Sequence, residues 1–76
     1  MSAITKEGIE VRIGQLWRDL DKRMAGRTVS IVRVAPEAHP YPYAEVRALR
    51  SGRMSRLRIN RMHKHATGFA LVCEEP

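Results

Sequence analysis

The sequence is poor in cysteine, in aromatic side chains and, over its last third, in negative charge. Its single cysteine, Cys73, rules out an intramolecular disulfide. That usage suits a reducing interior, and a cytoplasmic protein is expected. No apolar run approaches the roughly 18 residues of a membrane span, so no membrane partner is expected. The first seven residues, Met1 to Glu7, lack the charged-then-apolar order of a signal peptide. There is no glycine-rich phosphate loop, no nucleophile motif and no paired acid–base set. A non-enzymatic protein without a cofactor is therefore expected. Only four aromatic residues are present, which leaves Tyr41 and Tyr43 as the plausible stacking platforms. From Val46 to Cys73 there is no aspartate or glutamate at all.

Seventy-six residues make one domain with a modest core. It is expected over residues 9–73, after a flexible lead-in at 1–8 and before an acidic tail at 74–76. A core this small makes either a monomer or a stabilising homodimer compatible with the sequence. The net charge is +6, distributed unevenly. Residues 1–46 carry seven basic and six acidic groups, a balance of +1, whereas residues 47–73 carry seven basic and none acidic. Such asymmetry marks a directed electrostatic face.

Alternation sets the expected strands. Ile9, Val11 and Ile13 alternate with Glu10 and Arg12, giving a first strand at 9–13. Trp17 is expected to be buried as a core anchor beside Ile31 and Leu57. The charged segment 18–26 reads as a long loop. Residues 27–34 are rich in β-branched side chains and form the clearest strand, stopped by Pro36. Pro36, Pro40 and Pro42 make 36–42 a rigid exposed connection. Strands at 43–49 and 54–59 join through a turn at Arg50-Ser51-Gly52-Arg53, a helical turn follows at 60–62, and 68–72 closes the sheet. This order predicts an all-β, SH3-like small barrel of five strands, whose closure would protect the sheet edges. The alternative is α+β, with a short helix over 15–25 supported by the spacing of Leu16, Leu20 and Met24.

The hairpin carries the candidate site. On its second strand Met54, Arg56 and Arg58 point one way while Ser55, Leu57 and Ile59 point the other, and Arg47 has the parity to join the arginines. Arginine pairs with phosphate through two donors and stacks on bases. Arg47, Arg50, Arg53, Arg56, Arg58, Arg61, Lys64 and Tyr43 are the expected nucleic-acid-binding residues, with Arg27 and Arg33 as neighbours. The mechanism would be phosphate neutralisation with little base readout, since no recognition helix is visible. The competing readings of the same charge are a solvated face and a face that meets an acidic protein.

The pattern Gly14-Gln15-Leu16-Trp17-Arg18-Asp19-x-Asp21-x-Arg23, then Gly26-Arg27-Thr28-Val29, Gly52-Arg53, Arg58-Ile59-x-Arg61-Met62 and Thr67-Gly68-Phe69-x-Leu71-Val72, resembles a group of small uncharacterised phage and bacterial proteins. The resemblance covers roughly residues 12–72. It brings no activity and lends no catalytic residue. It implies that the loop 17–23 and the basic hairpin belong to one domain. It also frames the functional alternative, a phage or bacterial interaction module that docks on an acidic protein through the proline-bearing loop. Ala25-Gly26-Arg27-Thr28-Val29 resembles the turn of KOW-type nucleic-acid-binding barrels over five residues only.

Other groups give bland readings. Asp19 and Asp21 lie among arginines and are expected to form local salt bridges. His63-x-His65, with His39 and Cys73, matches no zinc spacing, so no metal site is expected. Cys73 is expected to be half-buried in the last strand.

Overall fold

The computed structural model describes residues 3–24 (Met24 by its backbone alone), 26–65 and 68–73. Inward-facing residues at every second position build five antiparallel strands: β1 (Leu16–Asp19), β2 (Thr28–Ala35), β3 (Tyr43–Ala48), β4 (Met54–Arg58) and β5 (Phe69–Cys73). They form one sheet in the order β4-β3-β2-β1-β5. Val29 and Ile31 of β2, Ala44, Val46 and Ala48 of β3, Leu57 of β4 and Phe69 of β5 share the core with Trp17. Trp17 is fully buried, as expected, in the same cluster as Ile31 and Leu57. The expected helical turn after β4 is a 3-10 helix at Ile59–Arg61, and it delivers buried Ile59. Met62 follows it into the core.

The domain is all-β, with five strands, but the sheet is open. No ladder joins β4 to β5 among the described residues, so the expected closure into a barrel is not found. β5 pairs with β1, and β4 turns away into the 3-10 helix. Where β2 meets β3, the register steps from Ile31↔Val46 to Arg33↔Glu45. Val32 is the extra residue of that bulge, and Val32 and Arg33 both face outward.

The first strand lies later than the alternation at 9–13 suggested. Residues 9–13 make only a bridge, Ile4↔Glu10. Val11 is buried, but Ile13 is 69% exposed and breaks the pattern. The segment folds back on the chain start: the Val11 N–H donates to Ala3 O and the Thr5 N–H to Ile9 O, both at 2.9 Å. The lead-in is accordingly not loose from residue 3 onward, because Ala3 and Thr5 are buried. The Thr5 hydroxyl accepts from the N–H groups of Glu7 and Ile9. Gly14, at φ +96°, then turns the chain into β1. The acidic tail at 74–76 lies outside the described residues.

The helix considered over 15–25 does not form, and the long loop shrinks to the residues after Asp19. Only a 3-10 turn, Lys22–Met24, is present. Trp17 and Asp19 follow the period of a strand, and aspartates then capture the backbone. Asp19 Oδ1 accepts from the Asp21 N–H and Asp21 Oδ1 from the Arg23 N–H, both at 3.0 Å. Such local bonds compete with helix.

Candidate nucleic-acid interface

The outer face of β2, β3 and β4 is set by register. Three rows cross it: Ser30–Arg47–Met54, Arg33–Glu45–Arg56 and Ala35–Tyr43–Arg58. Opposed residues of antiparallel neighbours project to the same side. Arg47, Arg56 and Arg58 therefore share one face, as their parity suggested. Arg50 and Arg53 are exposed in the hairpin turn. Gly52, at φ +73°, makes that turn, and a Cβ built there would lie 3.9 Å from the Arg47 guanidinium, which packs over it.

None of Arg47, Arg50, Arg53, Arg56 and Arg58 has a carboxylate partner among the described residues. Instead two of them lie on tyrosines. The Arg56 guanidinium sits 4.7 Å from the ring centre of Tyr43, and that of Arg58 sits 3.9 Å from the ring centre of Tyr41. Both are within cation–π range. The tyrosines are half-buried and the arginines exposed, so each ring is a floor and each guanidinium the layer above it. The sequence showed few aromatics among the charges; the structure brings both tyrosines of the chain into them. Tyr43 was an expected site residue. Tyr41 enters from the proline-bearing connection, where Ile59 N–H donates to Pro42 O at 3.2 Å and ties that segment to the end of β4.

Several expected contributors are placed elsewhere or engaged. Arg61 lies in the electrostatic field of Asp21. The Lys64 N–H donates to Glu7 Oε2 at 2.9 Å. These contacts put residues 61 and 64 with the first loops of the chain, not on the outer sheet face. Arg33 is paired with Glu45, Nε to Oε1 at 3.7 Å. Arg27 donates through Nη2 to the buried Asp19 carboxylate at 3.0 Å, and its Nε is buried without a partner. Glu45 is the surprise of the face. It precedes the acid-free run in sequence, yet the register sets it between Arg33 and Arg56.

A groove of about 670 Å³ opens where the start of β2 meets the hairpin turn, lined by Arg27, Thr28, Leu49, Arg50 and Ser51. A second hollow continues from it toward Arg53 and Met54. Neither is lined by an acidic residue. Leu49 and Met54 are about half exposed beside these cations, so the basic surface also offers apolar contact.

The remaining candidates resolve simply. Asp21 pairs with Arg23 and Asp19 with Arg27, as local salt bridges. The side-chain hydrogen bond from Arg23, helped by the Arg23 backbone N–H, holds the Asp21 carboxyl at about 2, below its ordinary 3.8. The same bond raises Arg23. His63 Nδ1 accepts from the His65 N–H at 3.2 Å, with the two rings 5.3 Å apart. Among the described residues no three His, Cys, Asp or Glu side chains come together. Cys73 is exposed, not half-buried, because β5 has left the core by its end. No helix among them is long and apolar enough to cross a membrane.

The residue that sequence reasoning missed is Gln15. It is fully buried. Its Oε1 accepts from the Arg12 N–H at 2.9 Å and from Trp17 Nε1–H at 3.1 Å, while Nε2 donates to Glu10 O at 2.8 Å. A glutamine two residues before a tryptophan carries no pattern that announces this. Comparisons with family models, with curated proteins and with solved structures find no match, so no relative assigns a role to any of these residues.

Proposed function

We propose that this domain is a non-enzymatic nucleic-acid-binding protein that meets phosphate through the outer face and turn of the β3–β4 hairpin. The observation that carries the reading is the state of the hairpin arginines. Arg47, Arg50, Arg53, Arg56 and Arg58 lie within twelve residues on an exposed hairpin, and none has a carboxylate partner among the described residues. Five unneutralised cations repel one another, an arrangement that a polyanion relieves. Arginine's planar donor fork suits phosphate oxygens. The two tyrosines beneath Arg56 and Arg58 add the aromatic component that a phosphate-only surface would not need.

Titration of fluorescent oligonucleotides at several salt concentrations tests this. Four or five phosphate contacts give a slope of log affinity against log salt of about −3 to −5. Replacing Arg53 and Arg56 by Ala should flatten that slope by about 1 to 2 units across all sequences tested. Absence of binding at low salt, where phosphate attraction is strongest, overturns the reading and favours an acidic protein as the partner of this face.

A further inference from the structure

Two Arg-on-Tyr pairs repeat along one face in the same sense. Arg56 stands opposite Glu45 in the ladder but leans over Tyr43. Arg58 stands opposite Tyr43 but leans over Tyr41. Each guanidinium is thus displaced by one step toward the same end of the sheet. From this repeat, and resting on the nucleic-acid reading above, we infer that the face binds single-stranded nucleic acid by stacking successive bases on the guanidinium planes of Arg56 and Arg58.

Three features support single strands over duplex. First, the arginines are the exposed layer of each pair, and each guanidinium carbon lies over a half-buried ring. A base laid on top completes a Tyr–Arg–base column, while the edge N–H groups stay available for phosphate. Second, the platforms have a spacing. Arg56 and Arg58 are two residues apart on β4, about 6.8 Å along a strand. Bases within one strand of a duplex rise only about 3.4 Å per step, with their faces covered by neighbours. An unpaired strand can open its bases to the wider spacing and offer a free π-face to each platform. Third, Met54 on the same face and Leu49 at the turn present apolar surface beyond the cations. A duplex backbone has no use for it, whereas an unstacked base does.

Sequence tolerance follows, because every base has a π-face. Glu45 of β3 sits between Arg33 of β2 and Arg56 of β4 as a negative charge paired with Arg33. It limits how much phosphate this row can take and leaves stacking a larger share of the affinity.

The test compares three fluorescent ligands of equal phosphate number on the whole protein: an unstructured single strand of about twelve nucleotides, an abasic strand of that length, and a short duplex. Loss of one stacked base is worth roughly 5- to 150-fold in affinity. The normal strand is expected to bind at least roughly tenfold tighter than the abasic one and tighter than the duplex. Arg58→Lys and Arg56→Lys keep the charge and remove the plane. Each should lower affinity for the normal strand toward the abasic value with the salt slope unchanged. Circular dichroism of each variant verifies its fold, and the abasic comparison on the unmodified protein needs no variant. Equal affinity for normal and abasic strands overturns the stacking inference while phosphate binding stands. So does tighter binding to duplex. No binding to any of the three at low salt overturns both readings together.

Discussion

The arginines before Ala35 and those after Ala44 live under different rules. Of the five in the first set, four are matched to a carboxylate nearby: Arg12 with Glu10, Arg23 with Asp21, Arg27 with Asp19 and Arg33 with Glu45. The hairpin arginines have none among the described residues. The first region also holds the buried groups that order the fold, Trp17, Gln15 and Asp19. The difference teaches that a strongly basic composition need not be spread evenly in function. One region pairs most of its arginines with carboxylates, and in the other the hairpin arginines have no carboxylate partner among the described residues, which is what the proposed function builds on.

The sharpest way to test this division is to strike the anchoring region. Trp17→Ala removes the largest fully buried side chain and one of the hydrogen bonds that Gln15 Oε1 accepts, and should cost about 3–5 kcal/mol. That is a large part of the stability of so small a domain. Thermal or urea unfolding should show it. A variant that stays folded but loses ligand would place Trp17 in binding and abolish the contrast.

Next comes Asp19→Ala. Asp19 is only 5% exposed, whereas its partner Arg27 is 34% exposed. The loss therefore falls between that of a buried and a surface pair, about 1–3 kcal/mol. Arg56→Ala, by contrast, should change stability by less than about 0.5 kcal/mol, because it removes an exposed cation from a like-charged cluster. Parallel urea titrations compare the two. Equal losses would mean that the hairpin arginines are structural after all.

Much of this division is legible in the chain, and the remainder has a physical reason for being hidden. The alternation of Val29 and Ile31, or of Ala44, Val46 and Ala48, is enough to place two strands, since a half-buried strand has to alternate. The same rule misleads at residues 9–13, where Ile9 and Val11 pack as part of a loop and Ile13 faces solvent. Local alternation cannot tell whether a neighbour strand exists. Barrel closure likewise depends on which edges meet, which no single strand encodes. At the site, parity within the hairpin put Arg47, Arg56 and Arg58 on one face. Glu45, two residues before Arg47, has the parity of that face too, but its neighbours Arg33 and Arg56 follow only from the register, and the bulge at Val32 determines which residue of β2 it meets. Tyr41 was visible as an aromatic, but its contact with Arg58 depends on the path of the proline-bearing connection.

A smaller effect sharpens the boundary between the two sets, because Glu45 belongs to both. Glu45→Gln should free Arg33, already on the outer face, from its carboxylate partner. Oligonucleotide affinity should rise a few-fold at low salt, and the salt slope should steepen by about 0.7–0.9 as one more phosphate is met. An unchanged slope would show that Arg33 stays outside the contact surface.

The smallest expected effect lies in acid. Arg23 holds the Asp21 carboxyl at about 2, below 3.8, so the folded state binds that proton more weakly than the unfolded chain. The stabilisation is complete above the unfolded value and is lost as pH falls from about 4 toward 2. Asp21→Asn should remove this component from a pH series of unfolding midpoints without altering oligonucleotide binding at neutral pH. A changed affinity would draw the Asp21 loop into the interface.

Among the described residues the open sheet leaves β4 with one side unpaired, and β4 is the strand that carries Arg56 and Arg58, with Arg53 just before it. An uncovered strand edge is a template on which a second chain can add its own strand, the first step toward aggregates. Here two such edges would bring like charges together at close range. The cations of the proposed interface would therefore also act as gatekeepers against strand addition, and stripping them should favour self-association.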